Sequence, residues 1–222
     1  MSNSFKIIGT VSKAETLAEL LQSPERLKDC DMVELRFDEY MQADLCLELC
    51  EKLRHFTQVL LTIRTDREGG SWTIDDKERL DLFKFFAKDV DYIDIELKSE
   101  LFKNTSKTEF PDSLKIIASY HDYKSTPSNE SIQAFIDSGK EWGVDIVKLA
   151  VTPNNTEDLV RLESFLNQPQ ICLIGMGELG VVTRREYPLK GSLLTYGYLD
   201  NCAAPGQLSA AELKQYLQSK SS

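Results

Sequence analysis

The feature that most constrains the fold is a regular alternation of short apolar segments with amphipathic ones along the 222-residue chain. Short runs rich in Ile, Val and Leu, each bounded by polar residues, predict buried strands. Strands that alternate with helices indicate a parallel α/β fold. Eight strands are predicted, at Phe5–Val11, Met32–Phe37, Gln58–Arg64, Asp91–Leu97, Leu114–Tyr120, Asp145–Ala150, Gln170–Met176 and Leu193–Tyr198.

The segments between these strands have helical periodicity. A closed barrel and an open doubly wound sheet both satisfy the alternation, and the count of eight strands favours the barrel. No Pro-, Gly- or Ser-rich boundary divides the chain, so residues 1–222 are expected to form a single (β/α)8 TIM barrel. Ser209 followed by Glu212 is the capping-box pattern of a helix start. Helices are predicted at Ala43–Arg54, Asp75–Lys88, Ser128–Ser138, Thr156–Asn167 and Ser209–Leu217.

Composition narrows the possible partners. A net charge of −10 argues against nucleic acid or an anionic membrane, because phosphate groups are bound through Lys and Arg, but it leaves small anionic ligands open. No stretch approaches the roughly 18 apolar residues of a membrane span, and no secretory signal is visible, so a cytoplasmic protein is expected. The five cysteines form no CxxC pair and the chain has two histidines, so reduced thiols and no metal site are expected.

Polar residues recur on one face of successive predicted strands, near their C-terminal ends. Side chains alternate between the two faces of a strand, and parallel barrel strands are normally apolar on both. In barrels the C-terminal end is where active sites are built. The sequence therefore predicts a site at this end, formed by Glu34, Arg36 and Asp38, Thr62 and Arg64, Asp94 and Glu96, Ser119 and His121, and Lys148.

Each of these residues also has a structural explanation. Glu34 and Arg36 could pair as a salt bridge, and His121 could be a hydrogen-bonded structural histidine. Lys148 is harder to explain in this way, because a buried lysine costs several kcal/mol unless it is paired or loses its proton. His55 lies in a polar helix end and is predicted to be on the surface.

Two glycine-rich segments follow predicted strands. Gly175–Gly180 matches GxGxxG, but it lies in the seventh βα unit rather than the first, so a nucleotide site is a weak interpretation. The favoured interpretation is a tight loop that lets a ligand approach, with Thr183 and Arg184 beyond it to meet an anion. Loops are expected at Gly177–Pro188, at Ala203–Gln207 and around Glu68-Gly69-Gly70.

Taken together, these segments resemble the type I 3-dehydroquinate dehydratases, the Schiff-base class of that enzyme. The resemblance runs from the second strand to the end of the barrel, in the family's order. Its segments are Glu34–Asp38, Thr62–Gly70, Ser119–Asp122, Val147–Ala150, Met176–Arg184, Leu194–Gly197 and Ala204–Gln207.

The resemblance implies a lyase that dehydrates 3-dehydroquinate to 3-dehydroshikimate in the shikimate pathway, which leads to chorismate and the aromatic amino acids. It implies a cytoplasmic homodimer that needs no cofactor. By the resemblance, Lys148 forms an imine with the C3 ketone, His121 removes the C2 proton and protonates the departing C1 hydroxyl, and Glu68 orients His121. The implied substrate-binding residues are Arg184 for the carboxylate, and Glu34, Arg36, Arg64 and Gln207 for the ring hydroxyls and carbonyl.

The chemistry is consistent with these residue types. An iminium is a better electron sink than a ketone, and burial beside a cation such as Arg64 would favour the free amine that forms it. Histidine titrates near neutral pH, which suits a group that takes and then gives a proton. An aldolase using the same lysine chemistry, and a non-catalytic binding protein on the same barrel, remain as alternatives. The chain departs from the family's pattern at Ala203, Tyr123 and Ile174.

Overall fold

The computed structural model describes residues 5–11, 13–199 and 207–221. Within them, parallel strands alternate with helices along the chain, as the sequence predicts. The strands are β1 (Lys6–Val11), β2 (Met32–Arg36), β3 (Gln58–Thr62), β4 (Tyr92–Glu96), β5 (Lys115–Asp122), β6 (Ile146–Val151), β7 (Ile171–Gly175) and β8 (Leu194–Tyr198).

Helices pack around the outside of the strands. Short 3-10 turns at Pro24–Asp29, Asp66–Glu68 and Lys107–Glu109 supplement them. Among the described residues, no helix has the length and apolar character needed to span a membrane. The helices are α1 (Ala14–Gln22), α2 (Phe37–Tyr40), α3 (Ala43–Leu53), α4 (Asp76–Phe86), α5 (Glu100–Asn104), α6 (Asn129–Trp142), α7 (Thr156–Ser164), α8 (Gly177–Lys190) and α9 (Ala210–Ser221).

The strands pair in chain order, and β1 lies between β2 and β8. The backbone N–H of Leu193, just before β8, donates to the carbonyl of Ile171 in β7 at 2.8 Å, which brings the two ends of the sheet together. The predicted (β/α)8 barrel is therefore confirmed. The open doubly wound alternative is wrong, because it requires a strand order that reverses direction beside β1.

Alternation along each strand explains why both faces are buried. In β2, Val33 and Leu35 belong to the large apolar cluster packed between barrel and helices, whereas Met32 belongs to a second cluster inside the barrel. The inner cluster also contains Ile8 and Ile117, and on β1 to β5 its members lie toward the N-terminal ends of the strands. Farther along the same inward face, the side chains become polar.

An aspartate precedes every second strand from β2 to β6 and fixes the N-terminal end of the strand before it. Each aspartate makes two hydrogen bonds to one residue of that preceding strand. Its carboxylate accepts the backbone N–H of this residue, and its own backbone N–H donates to the carbonyl of the same residue. The carboxylates of Asp31, Asp91 and Asp145 accept from the backbone N–H groups of Ile7, Val59 and Ile116, in that order, each at 2.8 Å.

The segment predicted as a loop at Gly177–Pro188 is instead helix α8, so that prediction is wrong. The glycines explain the difference. A Cβ on Gly180 would lie 2.2 Å from the backbone carbon of Gly175, so glycine lets the helix pack directly against the end of β7. Gly177 begins the helix with a φ of +70°, which favours glycine.

Other sequence predictions are confirmed. Ser209 and Glu212 form the capping box, with the Ser209 N–H donating to the Glu212 carboxylate at 2.8 Å and the Glu212 N–H donating to the Ser209 hydroxyl at 3.2 Å. His55 is exposed. Ala203 and most of the predicted Ala203–Gln207 loop lie outside the described residues.

We expect Asp91→Ala to lower the free energy of unfolding by about 1–2 kcal/mol, because the buried Val59 N–H loses its acceptor. Asp91→Asn keeps an acceptor oxygen and should lose less than half as much. Turnover should not change, because Asp91 lies at the end of the barrel opposite the polar layer. Urea unfolding measures the effect, with Asp81→Ala on the exposed face of α4 as the control. Equal losses for Asp91→Ala and Asp81→Ala would contradict this account.

Candidate active site

A layer of polar side chains fills the C-terminal half of the barrel. Its members come from five consecutive strands, β2 to β6, or from the residues just after them, and face inward above the apolar cluster. The sequence predicts this arrangement, in which polar residues share one face of successive strands near their C-terminal ends. The buried members are Glu34, Thr62, Arg64, Asp94, Glu96, Ser119 and Lys148.

Lys148 lies at the centre of this layer and is 3% exposed. Its Nζ lies 2.7 Å from Oδ2 of Asp94 on β4, the second strand along from β6. The same nitrogen lies 4.8 Å from the centre of the Tyr196 ring, on β8. The amine is therefore held in one position by an ion pair and an aromatic face. An ammonium in this contact is not a nucleophile, so it must give up a proton before it can attack a carbonyl.

Asp94 joins Lys148 to the rest of the layer. Its other oxygen, Oδ1, lies 3.0 Å from the Arg64 guanidinium and accepts a hydrogen bond from the Ser119 hydroxyl. Burial disfavours the charged carboxylate, but Arg64 and Lys148 outweigh burial and hold the pKa of Asp94 below its ordinary value. Asp94 thus remains an anion between two cations.

Glu96 extends the network to the outside of the barrel. It forms an ion pair with Arg79 of α4, which is 1% exposed, and it accepts the Thr65 backbone N–H at 2.8 Å. Arg79 was not identified from the sequence. The available signal is its spacing, since it stands four residues before Phe83 and seven before Phe86 on the buried face of α4.

His121 and Glu68 form a pair at the mouth of the barrel. His121 stands near the end of β5, and Glu68 ends the 3-10 turn after β3. Oε2 of Glu68 accepts the His121 backbone N–H at 2.9 Å and lies 2.9 Å from Nδ1 of the ring. The contact assigns the Nδ1–H tautomer when Glu68 is a carboxylate, which leaves Nε2 as the basic nitrogen.

Burial shifts the titration of both groups toward their neutral forms. It raises the pKa of Glu68 to about 7, against the opposing charge of Arg64. Burial, together with the cations Arg64 and Lys148, holds the pKa of His121 well below its ordinary value. At neutral pH the imidazole is therefore neutral and able to accept a proton, while Glu68 is close to its midpoint.

The predicted pair of Glu34 and Arg36 does not form as a salt bridge. Glu34 accepts from the Thr62 hydroxyl at 2.8 Å and from the Thr10 hydroxyl at 2.9 Å. Arg36 binds both oxygens of Asp38, at 3.0 and 2.7 Å. The Glu34–Arg36 salt bridge is therefore wrong as an explanation, and the proposed binding roles of both residues stay predictions.

The last two predicted binding residues lie at the ends of β7 and β8. Arg184 is half-buried on α8 and donates to the carbonyl of Gly175, the last residue of β7, at 2.7 Å. Gln207 is half-buried beside Leu208, whose carbonyl accepts the Tyr198 N–H at 3.1 Å. All eight predicted site residues therefore lie at the C-terminal end of the barrel.

A cavity of about 810 Å³ opens among the loops that follow β3, β4 and β5. Glu68 and His121 line it, together with Thr65, Glu96 and Tyr123, but Lys148 does not. Solvent thus reaches the histidine–glutamate pair from the side of these loops. Tyr123, one of the departures from the family's pattern, places its hydroxyl 3.4 Å from the Glu68 carbonyl. Ile174, another departure, lies in the inner apolar cluster.

Comparison with known proteins agrees with this arrangement. The model of the family described as type I 3-dehydroquinase matches residues 10–222. The 3-dehydroquinate dehydratase of Methanococcus maripaludis strain C6 is 36% identical over 211 residues, which cover 92% of this chain and 95% of the relative. That of Thermodesulfovibrio yellowstonii is 31% identical over 194 residues, covering 85% of each.

Solved structures give the same result. The 3-dehydroquinate dehydratase of Aquifex aeolicus superposes with a TM-score of 0.82 at 32% identity, covering 96% of this chain and 97% of that one. The type I enzyme of Clostridium difficile, solved with covalent modified comenic acid, has a TM-score of 0.84 at 28% identity and covers 98% and 92%. With the family model matching nearly the whole chain, the chain belongs to the type I 3-dehydroquinase family.

Proposed function

We propose that the chain dehydrates 3-dehydroquinate to 3-dehydroshikimate through an imine on Lys148, with His121 as the general acid and base. The observation that carries the proposal is the placement of a buried, positioned amine and a neutral imidazole on neighbouring strands. Ser119 of β5 pairs in register with Lys148 of β6, so His121 stands one inward position above the lysine's layer. The covalent comenic acid in the Clostridium difficile relative supports covalent chemistry in the family.

In the first step, the amine of Lys148 adds to C3 of the substrate. The proton held in the contact with Asp94 must leave first, and the nitrogen lone pair then forms the bond to C3. The carbonyl electrons move to oxygen, which takes the proton first given up by the ammonium and a second proton from the attached nitrogen, and departs as water. The product is an iminium, which takes electrons from C2 more readily than the ketone does.

In the second step, Nε2 of His121 takes the proton from C2, and the electrons of the C–H bond move toward the iminium nitrogen to give an enamine. The enamine then expels the C1 hydroxyl, which receives the same proton from His121 and leaves as water. Hydrolysis of the conjugated iminium releases 3-dehydroshikimate and the free amine. The net change is the loss of one water. Glu68 holds the ring so that Nε2 is the nitrogen in use.

The proposed substrate contacts follow from charge and position. Arg184 offers a planar guanidinium at the mouth, which matches a carboxylate. Arg64 is already bonded to Asp94, Glu96 and Ser119, so its proposed contribution is a fixed positive charge beside Lys148. The remaining proposed contacts, to the ring hydroxyls and carbonyl, are Glu34, Arg36 and Gln207.

We also infer, from the family resemblance, that the chain acts as a homodimer in the cytoplasm and needs no cofactor. Sedimentation of the purified chain would measure the assembly directly. A monomer at working concentrations would remove the dimer from the proposal without affecting the chemistry at Lys148.

Borohydride reduction in the presence of 3-dehydroquinate tests the imine. We expect a stable adduct on Lys148, located by peptide mass spectrometry, because borohydride reduces an imine to a secondary amine that stays on the lysine, whereas reduction of a non-covalently bound ketone leaves the protein unmodified. His121→Ala should still form the adduct and turn over at least about 100-fold more slowly, because general acid/base help contributes roughly 10²–10⁴ in rate.

Lys98 provides the matched control for trapping, since it lines the cavity beside His121. Lys98→Gln should give the wild-type adduct, and Lys148→Met should give none. An adduct on another lysine, or no adduct with the wild-type chain, would overturn the mechanism. Near-normal turnover in His121→Ala would remove His121 from its proposed role.

The pH dependence of turnover tests Glu68. Its pKa is raised to about 7, so the carboxylate that orients His121 is lost as pH falls through about 7, and turnover should fall with it. Glu68→Gln keeps an acceptor without a titrating group. For this variant we expect kcat to be about 10-fold lower, because part of the general acid/base contribution of His121 is lost. Its turnover should no longer fall as the pH decreases through about 7. Glu163→Gln, exposed on α7, should keep the wild-type profile. An unchanged profile in Glu68→Gln would contradict the orienting role.

A further inference from the structure

The hydroxyl of Tyr196 is buried inside the barrel and has no hydrogen-bond partner among the residues that the structure describes. Tyr196 lies in the middle of β8 and is 8% exposed. Most buried hydroxyl groups in proteins are paired, because leaving a polar group without a partner away from water is unfavourable. A buried hydroxyl of this kind in a catalytic barrel therefore calls for a functional explanation.

Tyr196 lies directly against the amine of Lys148. The ring centre is 4.8 Å from Nζ, so the phenol belongs to the same layer as the proposed nucleophile. Burial, together with the charges of Glu34 and Asp94, holds the pKa of Tyr196 well above its ordinary value. The phenol accordingly stays protonated at neutral pH and is available as a hydrogen-bond donor.

Two other donors of the described layer around Lys148 are already engaged. The Arg64 guanidinium bonds to Asp94, Glu96 and the Ser119 hydroxyl, and the Ser119 hydroxyl itself donates to Asp94. When an amine adds to a carbonyl, the carbonyl oxygen gains negative charge and needs a donor. In a site closed to water, a donor that is already in position stabilises this charge without reorganisation.

We propose that Tyr196 is a further catalytic residue, whose hydroxyl donates a hydrogen bond to the oxygen on the carbon that Lys148 attacks. The inference rests on the proposed imine at Lys148 and adds a donor that the family resemblance did not assign. The hydroxyl keeps its proton throughout, so the contact changes the rate of imine formation and not the identity of the product.

Tyr187 shows what a structural tyrosine looks like in the same chain. It lies on α8, is 2% exposed, and donates its hydroxyl to the Leu159 carbonyl at 2.8 Å. Removing that hydroxyl breaks an existing hydrogen bond far from Lys148. The two tyrosines thus form a matched pair for substitution by phenylalanine. At Tyr196 the change should slow imine formation without a loss of stability, and at Tyr187 it should lower stability without a change in rate.

The test compares Tyr196→Phe with Tyr187→Phe. For Tyr196→Phe we expect borohydride trapping with 3-dehydroquinate to be about 3–10-fold slower, the effect of one neutral hydrogen bond. Its melting temperature should be unchanged or higher, because an unpaired hydroxyl is removed. Tyr187→Phe should melt at a lower temperature and trap at the wild-type rate.

The outcomes separate the inference from the function on which it depends. If the wild-type chain forms no adduct on Lys148, the proposed mechanism fails and the inference fails with it. If the wild-type chain is trapped and Tyr196→Phe is trapped equally fast, the inference alone is overturned. A Tyr196→Phe variant that loses stability while keeping the wild-type trapping rate would show a structural hydroxyl and would also overturn it.

Discussion

The ion pair between Lys148 and Asp94 is the interaction on which the rest of the site depends. It joins β6 to β4 over the inward face of β5, the strand between them, and holds the amine in one place. Asp94 can remain charged there because Arg64 neutralises its second oxygen. Arg64 in turn contacts Glu96, and Glu96 is paired with Arg79 on an outer helix. A chain of alternating charges thus runs from the surface layer of helices to the proposed nucleophile.

Such a network does not by itself explain the stability of the barrel. Desolvation of buried charges offsets much of their attraction, and apolar residues of the same volume often stabilise a protein as well or better. The inner cluster around Ile8, Met32 and Ile117 shows that inward positions nearer the start of β1, β2 and β5 are filled with apolar side chains. The polar layer is therefore assigned to the proposed chemistry, in which a positioned amine, a neutral imidazole and fixed charges act together.

The alternation of side chains along each strand located most of this layer in the sequence, because the strands are regular and their inward positions can be counted. It placed Lys148 and His121 among the candidate catalytic residues, whereas the proposed role of Glu68 came from the family resemblance. It did not reveal that Asp94 holds Lys148, since pairing across the barrel depends on register. Arg79 lies on a helix and reaches Glu96 only through the fold. Gly177–Pro188 was predicted as a loop because close helix–strand packing at Gly180 leaves the same sequence signal as a flexible turn.

A crystal structure of the borohydride-reduced complex with 3-dehydroquinate would show whether Lys148 forms the proposed imine beside His121. We expect continuous density between Nζ of Lys148 and C3 of the ligand, with Nε2 of His121 facing C2 and Nδ1 still against Glu68. Asp94 should keep its contact with Arg64 after its contact with the lysine has changed. A ligand bound without a covalent bond, attached to another side chain, or turned so that C2 faces away from His121 would contradict the proposed mechanism.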